Sequence, residues 1–267
     1  MRWVVFLIIF FTLSQRVGAQ GFTSDSIRHF RLEFTFGGGS IASYDNFGSP
    51  LPYSGITLPV GGAVEYVTPT VRHSLELTSI TSLANAAPLH NQYSSEIEYA
   101  FEDLRYRFSH YLRDIGTTGI QVSIGGEWEN SLFARAYDYS GDFSSGSGSG
   151  EASSSLAAAA DLSYQLGDDH LFRVSLSLPI VAVVLRPAYG YVNGDASFFQ
   201  VPFDVRIEPI GVMWSWRFGL DYDYILSKYL VLGLHYHELY YKYPFFIWKG
   251  IGAESDALLN LAWRFDL

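Results

Sequence analysis

From Met213 to Leu226 the chain reads MWSWRFGLDYDYIL, and its large apolar or aromatic residues recur at every second position: Trp214, Trp216, Phe218, Leu220, Tyr222 and Tyr224. Ser215, Arg217, Gly219, Asp221 and Asp223 stand between them. Successive side chains of a strand point to opposite faces, so this period of two predicts a strand with one greasy and one polar face. The same period recurs along the chain. Phe30, Leu32, Phe34 and Phe36 alternate with Arg31, Glu33 and Thr35; Ile56, Leu58, Val60, Val64 and Tyr66 alternate with Thr57, Gly61, Ala63 and Glu65. Further strands are predicted over about 72–81, 95–112, 120–129, 156–165, 172–185, 205–226, 230–237 and 257–267. That makes about ten.

Two of these carry irregularities. In 95–112 the apolar phase is odd at Ile97, Tyr99 and Phe101 and even at Leu104, Tyr106 and Phe108. A slip of one residue near Glu102-Asp103, as a β-bulge supplies, would reconcile them. In 172–185 the alternation gives way to residues apolar on both faces, with Pro179 inside the segment and Pro187 just beyond it. Proline cannot donate to the ladder, which predicts a bulge or an irregular half there.

The connections alternate in length. Short ones are predicted at about 67–71, 113–119, 167–170 and 227–228, and long ones at about 44–55, 83–94, 139–153, 192–204 and 243–255. The third long one, GDFSSGSGSGEASSS, has the composition of a flexible polar segment. Short turns at one end and long loops at the other is the pattern of a bacterial outer-membrane barrel. The fold expected is an all-β, antiparallel, transmembrane up-and-down β-barrel of about ten strands, with both termini at the short-turn end.

Charge decides which solvent lies on which face. Arg31, Glu33, Glu65, Glu96, Glu98, Arg105, Arg107, Glu127, Glu129, Asp161, Arg173, Arg217, Asp221, Asp223, Arg264 and Asp266 all fall on the polar face. An Arg or Lys turned to mid-bilayer lipid costs ~2–4 kcal/mol, so one-sided charge is what a membrane barrel requires. Lipid is therefore expected outside and a polar lumen inside. Trp214, Trp216, Phe218, Tyr222, Tyr224, Trp263 and Phe265 are the expected lipid-facing girdle. The aromatic load, 17% of the chain, suits two interfacial girdles.

Composition narrows the rest. Met1-Arg2, the apolar run WVVFLIIFFTL and the small residues of Val17-Gly18-Ala19 read as a secretory signal over 1–19, leaving 20–267 as the barrel. The run is too short for a spanning helix. The chain has no cysteine, which excludes disulfides and thiolate metal sites. A net charge of −10 leaves no basic patch for nucleic acid. No glycine-rich phosphate loop or nucleotide fingerprint is present, so no cofactor is expected.

The C-terminal LLNLAWRFDL resembles the terminal strand of bacterial outer-membrane β-barrel proteins. That strand alternates apolar residues and ends in a bulky one; here Leu267 is terminal and Phe265 is the aromatic. The resemblance implies an outer-membrane location and recognition of this strand by the barrel-assembly machinery. It covers the mature chain at the level of architecture and reaches no named family. Omptins, ten-strand outer-membrane proteases, use aspartates and a histidine near the surface rim. Asp221-x-Asp223 and His235-x-His237 are similar in residue type only: the two acids lie beside the short turn at 227–228, and no omptin residue is carried over.

Eight-strand barrels are filled by side chains and open channels appear near sixteen strands, so a ten-strand lumen is expected to be plugged by paired charges. The function expected is non-enzymatic: a structural or surface-interaction protein, its long loops meeting a surface ligand. Two alternatives stand beside it. One is a narrow solute pore. The other is a rim hydrolase with His237 as general base, oriented by Glu254 or Asp256. His235 and His237, two apart on one face, could also bind a metal, but the sequence shows no third ligand, and no metal is expected.

Overall fold

The computed structural model describes residues 28–45, 49–86, 95–115, 120–139, 147–187, 192–193, 203–209, 214–244 and 249–266. The described residues hold no helix; nearly all lie in antiparallel strands. The staves are β1 (His29–Asp45), β2 (Ser49–Val67), β3 (Val71–Ala86), β4 (Ser95–Ile115), β5 (Ile120–Tyr139), β6 (Ser147–Leu166), β7 (His170–Pro187), β10 (Trp214–Ser227), β11 (Leu230–Pro244) and β12 (Lys249–Asp266). Each pairs with its neighbours in sequence. β12 returns to β1 over the full length of β1, which closes the cylinder. β9 (Phe203–Pro209) pairs with the upper part of β7, in line with β10 below it, so the eighth stave is built from two pieces. β8 (Val192–Asn193) is a two-residue addition on β6. The fold is a closed, ten-strand antiparallel barrel.

The staves are longer than predicted. About 9–11 tilted residues suffice to cross a bilayer, whereas β4 has 21. The extra length comes from segments expected to be loops. β1 runs to Asp45 and β2 starts at Ser49, so most of 44–55 is strand. β6 begins at Ser147, inside the serine–glycine stretch, and β11 and β12 extend to Pro244 and from Lys249. The rest of the predicted loops at 83–94, 139–153 and 192–204 falls largely outside the described residues. At the other end the turns are tight, as at Gly167, whose φ of 65° suits a residue without a Cβ.

The bulge predicted in β7 is present. Leu156 of β6 pairs with Val181 while Ala157 pairs with Pro179, so Ile180 is the extra residue. The bulge predicted at Glu102-Asp103 is absent: β4 keeps one register there with both neighbours, and its slip lies at Tyr111/Arg113. Ile97, Tyr99 and Phe101 therefore point inward with Asp103 and Arg105, and Glu98 and Glu102 point outward. The physical reason is a change of surroundings along the barrel. Low down, the outer wall is a belt of exposed apolar residues such as Leu75, Leu104, Leu162, Leu176, Leu220, Leu234 and Leu259. Higher up, the outer wall turns mixed, and large apolar side chains enter the lumen beside polar ones such as Ser43 and Glu254. Ile41, Tyr53, Ala84, Ala86, Ile97 and Tyr99 cluster inside, next to a second cluster of Ile80, Phe101 and Phe133.

Aromatic residues gather where the belt ends. At the short-turn end Tyr66 stacks on His73, Tyr164 on Phe172, and His170 on Tyr222. Near the upper edge Trp216 stacks on Tyr240. Along β10 the outward run from Trp216 to Tyr224 rises roughly 20 Å at the usual strand tilt, close to the height of a membrane barrel's apolar band.

Candidate functional site

Beneath the two apolar clusters the lumen is ionic. Phe101 and Asp103 are consecutive inward residues of β4, and the change of layer falls between them. Asp103 is 1% exposed; it accepts from Arg217 at 2.8 Å and from the Ser131 hydroxyl at 3.1 Å, and Arg105 lies at ion-pair distance, 3.1 Å. Arg217 also reaches Glu129 at 2.6 Å, so one guanidinium on β10 joins carboxylates on β4 and β5 across the lumen. Arg105 pairs with Glu76 as well. Lower, Arg107 bonds Asp161 at 2.7 Å and Glu127 at 3.3 Å, and Ser109 and Ser177 donate to the same two carboxylates. Arg31 holds Glu33 at 2.6 Å and Asp223 at 2.7 Å, and Arg72 pairs with Glu65. Buried charges persist only when paired in this way; removing one partner of such a pair costs about 3–5 kcal/mol.

The remaining residues predicted for the lumen are placed differently. Arg173 lies 3.9 Å from Asp221. Arg264 is half-buried and lines a vestibule of about 210 Å³ at the short-turn end, with Arg31, Glu65, Arg173 and Asp223. Glu98 is exposed on the outer wall and takes no part in the lumen. The side chains of Glu96, Asp266 and Trp214 lie outside the described residues. Of the predicted girdle, Tyr224, Trp263 and Phe265 are exposed, while Trp216, Phe218 and Tyr222 are half-buried on the outward phase among their aromatic neighbours.

The histidines form a second centre. β10 and β11 are joined by a tight turn, and their register sets Asp221 opposite His235 and Gly219 opposite His237. Asp221 Oδ1 lies 3.8 Å from His235 Nδ1 and 3.5 Å from His237 Nε2. The other nitrogen of His235, Nε2, is 3.1 Å from Asp223, which is itself tied to Arg31. His237 was expected to be oriented by Glu254 or Asp256. Asp256 does stand opposite it on β12, but Asp256 accepts the Thr57 hydroxyl, and the acid nearest the imidazole is Asp221. Glu254, Asp256, His237, Arg217 and Asp103 share a cavity of about 30 Å³, room for one water molecule. Among the described residues no hydroxyl is hydrogen-bonded to His237, so the pairing that activates a nucleophile is not made. The partner that the linear sequence did not offer is Asp221 as the third group of the histidine cluster. Counting back from the turn at 228–229 would have found it.

No family model matches this chain, and no curated protein matches it in sequence. Its fold is similar to that of the outer membrane protease OmpT from Escherichia coli, with a TM-score of 0.57 at 7% identity over 93% of this chain and 100% of that one. The translocator domain of the autotransporter NalP from Neisseria meningitidis superposes with a TM-score of 0.46, at 10% identity over 99% and 98% of the two chains. The transport unit of the autotransporter AIDA-I from Escherichia coli gives 0.39, at 8% identity over 97% of each. The protein thus has the architecture of closed ten-strand barrels, and its structural neighbours are bacterial outer-membrane barrels.

Proposed function

We propose that this chain is a plugged, non-enzymatic barrel of the bacterial outer membrane, acting as a structural or surface-interaction protein rather than as a solute pore. The observation that carries the reading is the crossing of the lumen by Arg217, which bonds Asp103 and Glu129 from the opposite side. A conducting path would have to part these pairs, and the apolar clusters stacked above them narrow the polar part of the upper lumen to side chains such as Ser43, Glu151 and Glu254. The exposed apolar belt and its aromatic edges suit outer-membrane lipid as the surrounding partner. β12, which closes the barrel on β1, is the strand that the assembly machinery would read. A surface ligand would be met at the far end, beyond the long upper staves.

A rim hydrolase built on His237 has less support. It needs a nucleophile beside the ring and an acid turned to it from above, whereas the ring faces Asp221. The test is single-channel recording in a planar bilayer. Silence from a barrel shown to be folded by its heat-sensitive gel mobility is the expected result. Stable ohmic steps would overturn the plug and make a solute pathway the function.

A further inference from the structure

We propose that Asp221, His235 and His237 bind a divalent transition-metal ion of the zinc type inside the lumen. One ligand atom from each lies within 4.8 Å of the other two, and Asp221 Oδ1 faces both His235 Nδ1 and His237 Nε2. Ligand distances of ~2.0–2.1 Å around a tetrahedral ion set edges of roughly 3.3–3.5 Å. Two of the three edges here are 3.5 and 3.8 Å and the one between the imidazoles is within 4.8 Å, so the ion needs the two imidazoles to close on it. Two imidazoles and a carboxylate are a donor set that zinc takes with a fourth position left for water.

Three features independent of that spacing point to a ligand. First, Asp221 is 8% exposed and its Oδ1, the atom facing both rings, is buried without a hydrogen bond. A buried carboxylate oxygen that two imidazoles approach without hydrogen-bonding it is costly, and a cation held between the three satisfies it. Second, the outer contacts of a metal site are already made. His235 Nε2 is bonded to Asp223, which fixes the ring so that Nδ1 faces the cluster, and the second oxygen of Asp221 faces Arg173. Third, room is kept by glycine. A Cβ on Gly233 would lie 2.8 Å from His235 Nε2 and 2.5 Å from Asp223, and one on Gly219 would lie 2.4 Å from Ser175 and 3.5 Å from the His237 ring.

The cluster lies close to two cavities. Asp223 lines the vestibule at the short-turn end, while His237 lines the small cavity above, so the cluster stands between the two. This inference does not rest on the plug: the cluster could bind an ion in a silent or a conducting barrel, and bilayer recording does not report on it.

The test uses the full chain, purified into detergent with chelator and then freed of it. Zn²⁺ is titrated calorimetrically, and Co²⁺ is added as an optical probe. One saturable Zn²⁺ per barrel is expected, with the intense visible bands of tetrahedral Co²⁺. Asp221→Asn and His237→Gln should each weaken binding at least tenfold, and Asp223→Asn about 10–100-fold through the ring it orients. His110→Gln, on the outward phase of β4, should change nothing. No saturable binding, binding that survives His235→Gln with His237→Gln, or loss in His110→Gln would each overturn the site. Should the lumen variants fail to fold, the unmodified protein still decides: a weak octahedral Co²⁺ spectrum overturns the proposal.

Discussion

Glu102 and Asp103 are adjacent in the chain and live on opposite walls of the barrel. Glu102 is exposed outside, where it accepts the Ser79 hydroxyl at 2.7 Å; Asp103 is sealed inside between Arg105 and Arg217. Both are acids, and only height along the stave makes both placements stable. At that level the outer wall is mixed: Glu102 stands between the Ser79 hydroxyl on one side and the exposed Leu132 on the other.

The belt can be mapped with arginine. Leu259→Arg places a charge on the outward face where Leu259 is 52% exposed, and should cost about 2–4 kcal/mol in phospholipid vesicles. Glu102→Lys, on the same wall but higher, should stay within about 0.5 kcal/mol. Urea unfolding of both variants in vesicles gives the comparison. Equal costs would mean that lipid does not stop between the two levels.

The absence of cysteine makes labelling free of background. Nitroxides at Trp216→Cys and Phe218→Cys should collide with dissolved oxygen far more than with a water-soluble nickel chelate. The reverse order at both positions would put water against this wall and contradict a membrane-facing belt.

Arg217→Met takes a cationic partner from two carboxylates, the buried Asp103 and the half-buried Glu129. A loss of about 3–5 kcal/mol is expected, and Arg217→Met combined with Asp103→Asn and Glu129→Gln should recover part of it. Equilibrium unfolding of the series is the measurement. A loss below about 1 kcal/mol for the single change would show that water already screens these groups.

Neighbouring glycines on β5 should respond differently. A Cβ on Gly125 would lie 1.7 Å from the Phe108 carbonyl oxygen, which is backbone and cannot turn away; on Gly126 the nearest atom is at 3.6 Å. Gly125→Ala should therefore cost about 1–3 kcal/mol and Gly126→Ala about 0.5 kcal/mol or less. Thermal loss of the folded gel band distinguishes them.

Strand identity was legible because period two survives in every solvent, and the bulge in β7 was legible because Pro179 breaks the ladder. The phase of β4 was misread for a physical reason. Taking apolar to mean outward holds along the apolar belt, but above it the outer wall is mixed and Ile97, Tyr99 and Phe101 turn inward. The long loops were misread because small and polar residues such as those of Ser147–Ser153 serve equally well on a stave wetted from outside. In the histidine cluster, His235 and His237 are visible as a pair because they share a strand face. Asp221 joins them through hairpin register, and the carboxylates meeting Arg217 do so through closure of the whole cylinder, which no local pattern encodes.

The ladder of backbone bonds fixes the circumference of such a cylinder but says little about its cross-section, since a ring hinged strand to strand can flatten into an oval. Here the long arginines act as spokes. Arg217 runs from β10 to β4 and β5, Arg107 from β4 to β6, and Arg31 from β1 to β10. Each chord holds two or more staves at a set span, so the tube resists lateral squeeze by mechanical bracing from within as well as by the hoop around it.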